Sequence, residues 1–215
     1  MPNLFSRIAI GCANWDKPYN GSRLSDKNIT KVLGYCQTSG IDTLDMATAY
    51  GNDFDRPNSY FNKIIKVQSV DEVAEVLEIE PYAIMAHNMK VFGEVGLDSV
   101  SVYSPEDLLE IGENDTLRIV QLPYSLYDRR FESDFEQLKE DDVEIHVRSI
   151  FLRGRILKDG IEPCECIKFC LCNPYIDKVI IGVDSFEQLQ RNLDFLHRWK
   201  NLERHDEELL DTRRW

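Results

Sequence analysis

Short runs rich in β-branched and aliphatic residues alternate along this chain with segments of helical periodicity, and the alternation repeats from end to end. Eight runs read as strands: Arg7 to Ala13, Thr43 to Met46, Lys63 to Val67, Tyr82 to His87, Leu97 to Val102, Leu117 to Leu122, Glu144 to Ile150 and Lys178 to Val183. Several, such as IVQL and VIIGV, are apolar without alternation, the pattern of strands covered on both faces in a parallel sheet. Helix starts fall between them. Ser25 heads SDKNITKVLGYCQTSG, which stops at Gly40; Ser69 heads SVDEVAEVLEIE, with Glu72 at capping-box spacing; Ser185 precedes FEQLQRNLDFL. Eight strands alternating with helices favour a closed (β/α)8 TIM barrel over an open doubly wound sheet.

Two connections are lean. Only nine residues, Asn88 to Gly96, join the fourth and fifth strand runs, whereas a parallel crossover normally takes a dozen or more. The outer helix there is predicted to be missing or reduced to a turn. Gly51 to Phe61, with Pro57 inside it, is too broken for a long helix. The predicted fold is therefore a compact α/β barrel with a reduced outer helix ring. A thinned ring leaves apolar strand surface that the C-terminal segment NLERHDEELLDTRRW or a second subunit, in a homodimer, is expected to cover. At 215 residues and 43% hydrophobic content, one barrel domain over residues 1–215 is the expectation.

Charge narrows the partners. With 38 acidic against 25 basic residues the net charge is −13, which repels phosphate backbones and argues against nucleic-acid binding. No run approaches the roughly 20 apolar residues of a membrane span, and the start MPNLFSRIAIGC lacks a leader pattern, so a cytoplasmic protein is expected. Cys164, Cys166, Cys170 and Cys172 form C-x-C-x3-C-x-C, but on a helix only Cys166 and Cys170 share a face. Because the spacing matches no usual zinc pattern, no metal site is expected and the cysteines read as small buried residues.

Candidate chemistry gathers at strand ends. Asp45 closes an apolar run in GIDTLDMATAYGN and Tyr50 follows in the next loop; Lys66 lies near the end of KIIKV and His87 at the end of YAIMAH. In a barrel all four fall on the C-terminal face, where active sites lie. Singly, each has a plainer role: a rim tyrosine, a lysine reaching water, a packing histidine. Together they suit proton delivery. A phenol with a pKa near 10 is a poor acid unless a cation stabilises its phenolate; Lys66 supplies that charge, Asp45 holds Lys66, and His87 orients a carbonyl oxygen.

These residues resemble a known family. The D-x-A-x-x-Y-G of Asp45 to Gly51, with Lys66 and His87, is similar to the tetrad of the aldo/keto reductases. The resemblance extends over roughly residues 7–196 through SVSVYSPEDL, IVQLPYSLYDRR, HVRSIFLRGRIL and NPYIDKVIIGVDSFEQLQRNL. It implies that Ser101 and Gln121 contact a nicotinamide, that Ser149, Leu152 and Gly154 line a pyrophosphate path, and that Ser185, Gln188 and Asn192 approach adenosine. Arg148 stands where many relatives stack an aromatic ring on the nicotinamide, and a guanidinium can stack as well. Two departures are Ser99, where many members have Gly, and Asp184, where a basic residue is frequent. The implied cofactor is NADP, with NAD as the alternative, since an acidic group repels a 2′-phosphate.

The function expected is reduction of a small-molecule aldehyde or ketone to an alcohol. Relatives with an RSIFLRG-type segment resemble enzymes of bacterial surface-sugar metabolism, which implies a keto-sugar or sugar nucleotide. Two other classes stay open: a barrel that keeps its tetrad but serves as a binding or regulatory subunit, and a lyase or isomerase using Tyr50 and His87 without net redox change.

Overall fold

Each of the eight apolar runs forms a parallel strand, its ends shifted from the sequence expectation by at most two residues. The computed structural model describes residues 3–19, 21–51, 53–112 and 116–210, the side chains of 95 and 200–210 excepted. Strands β1 (Ile8–Gly11), β2 (Thr43–Ala47), β3 (Asn62–Val67), β4 (Ala83–Ala86), β5 (Ser99–Ser101), β6 (Ile119–Pro123), β7 (Glu144–Arg148) and β8 (Lys178–Ile181) pair in sequential order and close into a barrel. Closure leaves no unpaired strand edge.

The outer layer is uneven. Helices α1 (Asp26–Ser39), α7 (Pro163–Cys172) and α8 (Phe186–Leu210) are long; α2 (Asp71–Leu77), α3 (Met89–Val95), α4 (Pro105–Ile111), α5 (Phe135–Glu140) and α6 (Arg155–Lys158) have seven residues or fewer. Among the described residues no α-helix follows β2, as the lean Gly51 to Phe61 connection predicts, and the helices after β3, β4 and β5 have seven residues each. One expectation needs correction: the β4–β5 crossover keeps a two-turn helix, α3, capped by the Asn88 side chain accepting from Val91 N at 3.1 Å and ended by left-handed Gly96. Strands of four and three residues are short enough for it. Seven helical residues rise about 10 Å, close to the reach of three or four extended residues.

A second correction concerns α2. Ser69 does not cap it; the Glu72 carboxylate instead accepts from Gln68 N at 2.6 Å and from Thr48 Oγ1 at 2.7 Å. At α1 the expected cap is present, Ser25 accepting from Asn28 N, and Gly40 ends the helix with φ 86°. Among the described residues no helix is long and apolar enough to cross a membrane. The described side chains of α8 reach Lys31 and Tyr35 of α1 and Phe5. The side chains of the expected C-terminal cover, residues 201–215, lie outside the described residues.

Register decides what faces inward. The pairings Gly11↔Asp45, Ala47↔Lys66, Ser101↔Gln121 and Gln121↔His146 turn these side chains to the barrel axis. Ile64, Ala83, Met85 and Ile119 form a small apolar plug among them. The larger core lies outside, where Ile10, Leu44, Val120, Leu122 and Ile181 meet Ile29, Val32, Ile167 and Leu193 from the helices. Each such side chain contributes roughly 1.5–3 kcal/mol by leaving water. At the N-terminal mouth Lys178 Nζ donates to Ser6 O at 2.7 Å and to Asp42 Oδ1 at 3.0 Å. The apolar layers thus hold the walls and leave the C-terminal mouth free for polar groups.

Candidate active site

Three strands bring three polar side chains into one closed cycle at that mouth. Lys66 Nζ donates to Asp45 Oδ2 at 2.8 Å and to Gln121 Oε1 at 3.1 Å, and Gln121 Nε2 donates to Asp45 Oδ1 at 2.8 Å. All three residues are buried, Lys66 at 2% exposure and Gln121 at 0%. A lone ammonium so far from water would discard its proton; here paired oxygens face it. Burial is the largest single influence on Lys66 and lowers its pKa, but the Asp45 carboxylate and Tyr50 outweigh it and leave the pKa above the usual lysine value. Lys66 is a fixed positive charge.

Tyr50 ends the one-turn segment Thr48–Tyr50 after β2, and Gly51 closes that turn with φ 71°. Thr48 Oγ1 fastens the segment to Glu72. The Lys66 ammonium lies 5.3 Å from the centroid of the half-buried Tyr50 ring. Burial raises the phenol pKa above its usual value; the charge of Lys66 and its hydrogen bond pull the other way without reversing the rise. His87 directly follows β4, its ring 6.2 Å from that of Tyr50 and edge-on at 84°. Burial, then the nearby Lys66 charge, pushes its pKa down to about 4, so its imidazole is neutral at neutral pH. The four tetrad candidates therefore converge.

A cavity of about 390 Å³ opens over Asp45, Tyr50 and Lys66, while His87, beside the Tyr50 ring, is not part of its lining. Asp45, Tyr50 and Lys66 form one wall, and the segments after β7 and β8 form the other, including Arg148, Ser149, Gly154 and Gln188. Of the remaining cofactor candidates, Ser101 and Gln121 are buried beneath the mouth, Leu152 and Ser185 flank the lining segments, and Asn192 is buried on α8; none of these five borders the cavity. Gln121 is instead a brace for Lys66 and Asp45. Arg148 is held over Tyr103, Cζ 4.3 Å from its ring, with Nη2 donating to Val102 O at 2.9 Å. Gln188 spends its Oε1 on Asp184 N at 2.6 Å, a cap for α8.

The segment after β7 carries unusual backbone. Ser149, Leu152 and Arg153 have φ of 61°, 48° and 55°, the left-handed region that costs non-glycine residues energy, and Gly154 follows at 80°. The N–H groups of Leu152 and Gly154 are donated to Ser149 O at 2.9 Å and Phe151 O at 2.8 Å, so the positive charge that this segment offers an anion comes from the Arg153 side chain. Sequence reasoning missed Tyr19, Ser22 and Arg153, which also line the cavity; Arg153 Cζ sits 5.8 Å from the Tyr19 ring. No spacing rule marks a loop residue of this kind. Arg56, paired with Asp16 and Asp26 at 3.4 Å, ties the segment after Tyr50 to the loop bearing Tyr19.

The cysteines lie elsewhere. On α7 Cys166 and Cys170 face the core, where burial pushes their thiols up to about 11 and about 12, while Cys172 is exposed. Among the described residues no group of three or more His, Cys, Asp or Glu side chains converges as a metal site.

Fold and site together define a closed (β/α)8 barrel with a buried Asp–Lys pair beneath a tyrosine and a neutral histidine at its C-terminal mouth. Solved structures named as aldo-keto reductases superpose on this fold. PA4992 of Pseudomonas aeruginosa, named as one, superposes with a TM-score of 0.66 at 16% identity, over 88% of this chain and 89% of its own. AKR11C1 from Bacillus halodurans in its holo form gives 0.66 at 15%, over 87% and 85%. MGS-M4, an aldo-keto reductase from a Medee basin deep-sea metagenome library, gives 0.56 at 14%, over 90% and 84%. At these identities the likeness is one of fold. No protein-family model matches the sequence, and no curated protein matches it.

Proposed function

We propose that this chain is an aldo/keto reductase that reduces a carbonyl group on a small polar molecule with a nicotinamide cofactor. One observation carries the reading: the closed Asp45–Lys66–Gln121 cycle that keeps a charged ammonium beside the Tyr50 phenol at the mouth of the barrel. A structural ion pair has no need of a phenol bordering the same cavity, nor of a neutral imidazole set edge-on against that phenol. The lining fits an extended, doubly negative ligand: Arg148 and Arg153 border it. These groups would hold a diphosphate, with Lys66 and Tyr50 facing the reactive ring.

The bound nicotinamide would supply hydride to the carbonyl carbon. The chain's own residues handle the proton. Neutral His87 donates a hydrogen bond to the carbonyl oxygen and fixes its direction toward Tyr50. As negative charge grows on that oxygen, the Tyr50 hydroxyl passes its proton across, and Lys66 steadies the phenolate left behind. The raised Tyr50 pKa is compatible with this role, since it keeps the phenol protonated until a stronger base appears. An alkoxide is such a base, since an alcohol is a far weaker acid than a phenol. Asp45 and Gln121 prevent Lys66 from swinging away or losing its charge.

The thin wall beside His87, with α3 only two turns long and Tyr103 exposed at the rim, favours a bulky polar substrate such as a keto-sugar. The test is consumption of reduced nicotinamide with a panel of aldehydes and keto-sugars. Tyr50→Phe is expected to lower kcat by about 10²–10⁴-fold while cofactor affinity stays within a factor of a few. Turnover by that variant equal to the parent's, or turnover without nicotinamide consumption, would remove the reading.

A further inference from the structure

The wall facing the tetrad ends in an acid. Asp184, just before α8, borders the cavity that Tyr50 and Lys66 border from the other side. Its carboxylate is held in place: Asn14 Nδ2 donates to Asp184 Oδ1 at 3.2 Å and to Val183 O at 2.9 Å, while Asp184 N donates to Gln188 Oε1 at 2.6 Å. Asn14 is itself buried, so this brace is part of the barrel rim rather than a loose surface contact. Only one carboxylate oxygen is engaged by Asn14.

No Lys or Arg occurs between Ile180 and Gln190; Glu187 is met by Lys31 at 3.4 Å and by Arg191 one turn further along α8, and none of these three borders the cavity. Lys178, on the strand leading here, is turned to the opposite mouth and spent on Ser6 and Asp42. Arg148 is stacked on Tyr103, and Arg153 faces Tyr19 in the segment after β7. The cavity therefore has its positive charge along the β7 segment and a fixed negative charge at the start of α8. A carboxylate accepts two hydrogen bonds from a vicinal diol and repels a phosphate in the same place.

We propose that Asp184 makes the cavity selective for a dinucleotide whose adenosine ribose carries a free 2′,3′-diol, NAD(H), over its 2′-phosphorylated counterpart, NADP(H). This rests on the reductase reading above and reverses the order in which the sequence ranks the two cofactors. Arg148 and Arg153 meet the two charges of the diphosphate, and Asp184 meets the diol.

The experiment is an equilibrium titration of the purified chain with NADH and NADPH, followed by intrinsic tryptophan fluorescence and repeated with ADP and its 2′-phosphorylated analogue. NADH is expected to bind about tenfold or more tighter than NADPH, and ADP tighter than the analogue by a similar factor. In Asp184→Asn the NADPH Kd should fall by about tenfold while the NADH Kd moves by less than about threefold; Asp184→Arg should invert the order. Circular dichroism melting of each variant checks that the barrel persists. Equal or tighter NADPH binding by the parent chain, or a Kd ratio unmoved in both folded variants, overturns the role of Asp184 and leaves the reductase reading intact. Saturable binding of neither nucleotide overturns both.

Discussion

Lys66 is the residue on which the site's electrostatics turn. An ammonium at 2% exposure is tolerable because Asp45 and Gln121 occupy two of its three N–H directions. Removing one partner of a buried pair strands the other, which typically costs about 3–5 kcal/mol, more than the pair contributes over a neutral replacement. Asp45→Asn, which strands Lys66, and Lys66→Met, which strands the buried Asp45 carboxylate, should each lower unfolding free energy by about that amount in urea titration, whereas the double variant, which removes both charges, should cost clearly less than their sum. Additive losses in the double variant would show that the pair is not desolvated as the geometry requires. Asp45, Lys66, Tyr50 and His87 were legible in the sequence because polar groups ending apolar strand runs are out of place unless something uses them. Gln121 was legible as a site residue and not as a brace: its partners lie 55 and 76 positions away, and only strand register brings them together. Tyr19 and Arg153 left no signal, since their position depends on how two loops fold over the mouth.

At the level of elements, local chemistry predicts starts and stops better than it predicts which partner a side chain chooses. Ser25 and Gly40 bound α1 as their residue types dictate, and Ser25→Ala should cost about 1 kcal/mol in chemical denaturation, with Gly a milder substitute. Ser69 and Glu72 have the same spacing logic, yet Glu72 is drawn to Thr48 on the Tyr50 turn, a contact between segments that a linear pattern does not contain. The two-turn α3 was missed because the usual crossover length assumes strands longer than β4 and β5. Helix α7 offers a clean check on its orientation. Cys172 is exposed while Cys166 and Cys170 face the core with raised thiol pKa values, so alkylation of the folded protein should label Cys172 well before either of them. Early labelling of Cys170, followed by peptide mass spectrometry, would mean that α7 is rotated or frayed.

For the whole molecule, the alternation of strands and helices made the fold class readable, while closure depended on pairings such as Ala9↔Ile180 between the first and last strands, which no local pattern encodes. Closure is also what buries the mouth and sets how stability depends on acidity. His87 in the folded barrel titrates at about 4, against about 6.5 for a histidine in an unfolded chain. Between those values the unfolded chain binds a proton that the native state refuses, so acidification through this window favours unfolding. The contribution of neutral His87 is complete above about pH 6.5, shrinks steadily as pH falls toward 4, and changes no further below it. Carboxylates such as Glu144, whose pKa is lowered chiefly by its hydrogen bond to His146, add their own losses at lower pH, so the total curve cannot isolate the histidine. Its share appears in the difference between the parent and His87→Gln: their unfolding free energies, measured in urea from pH 4 to 8, should run parallel above about 6.5 and converge or cross below it as the parent alone loses stability. A constant offset over the whole range would place His87 in contact with water rather than in the desolvated mouth that the proposed hydrogen bond to a substrate carbonyl requires.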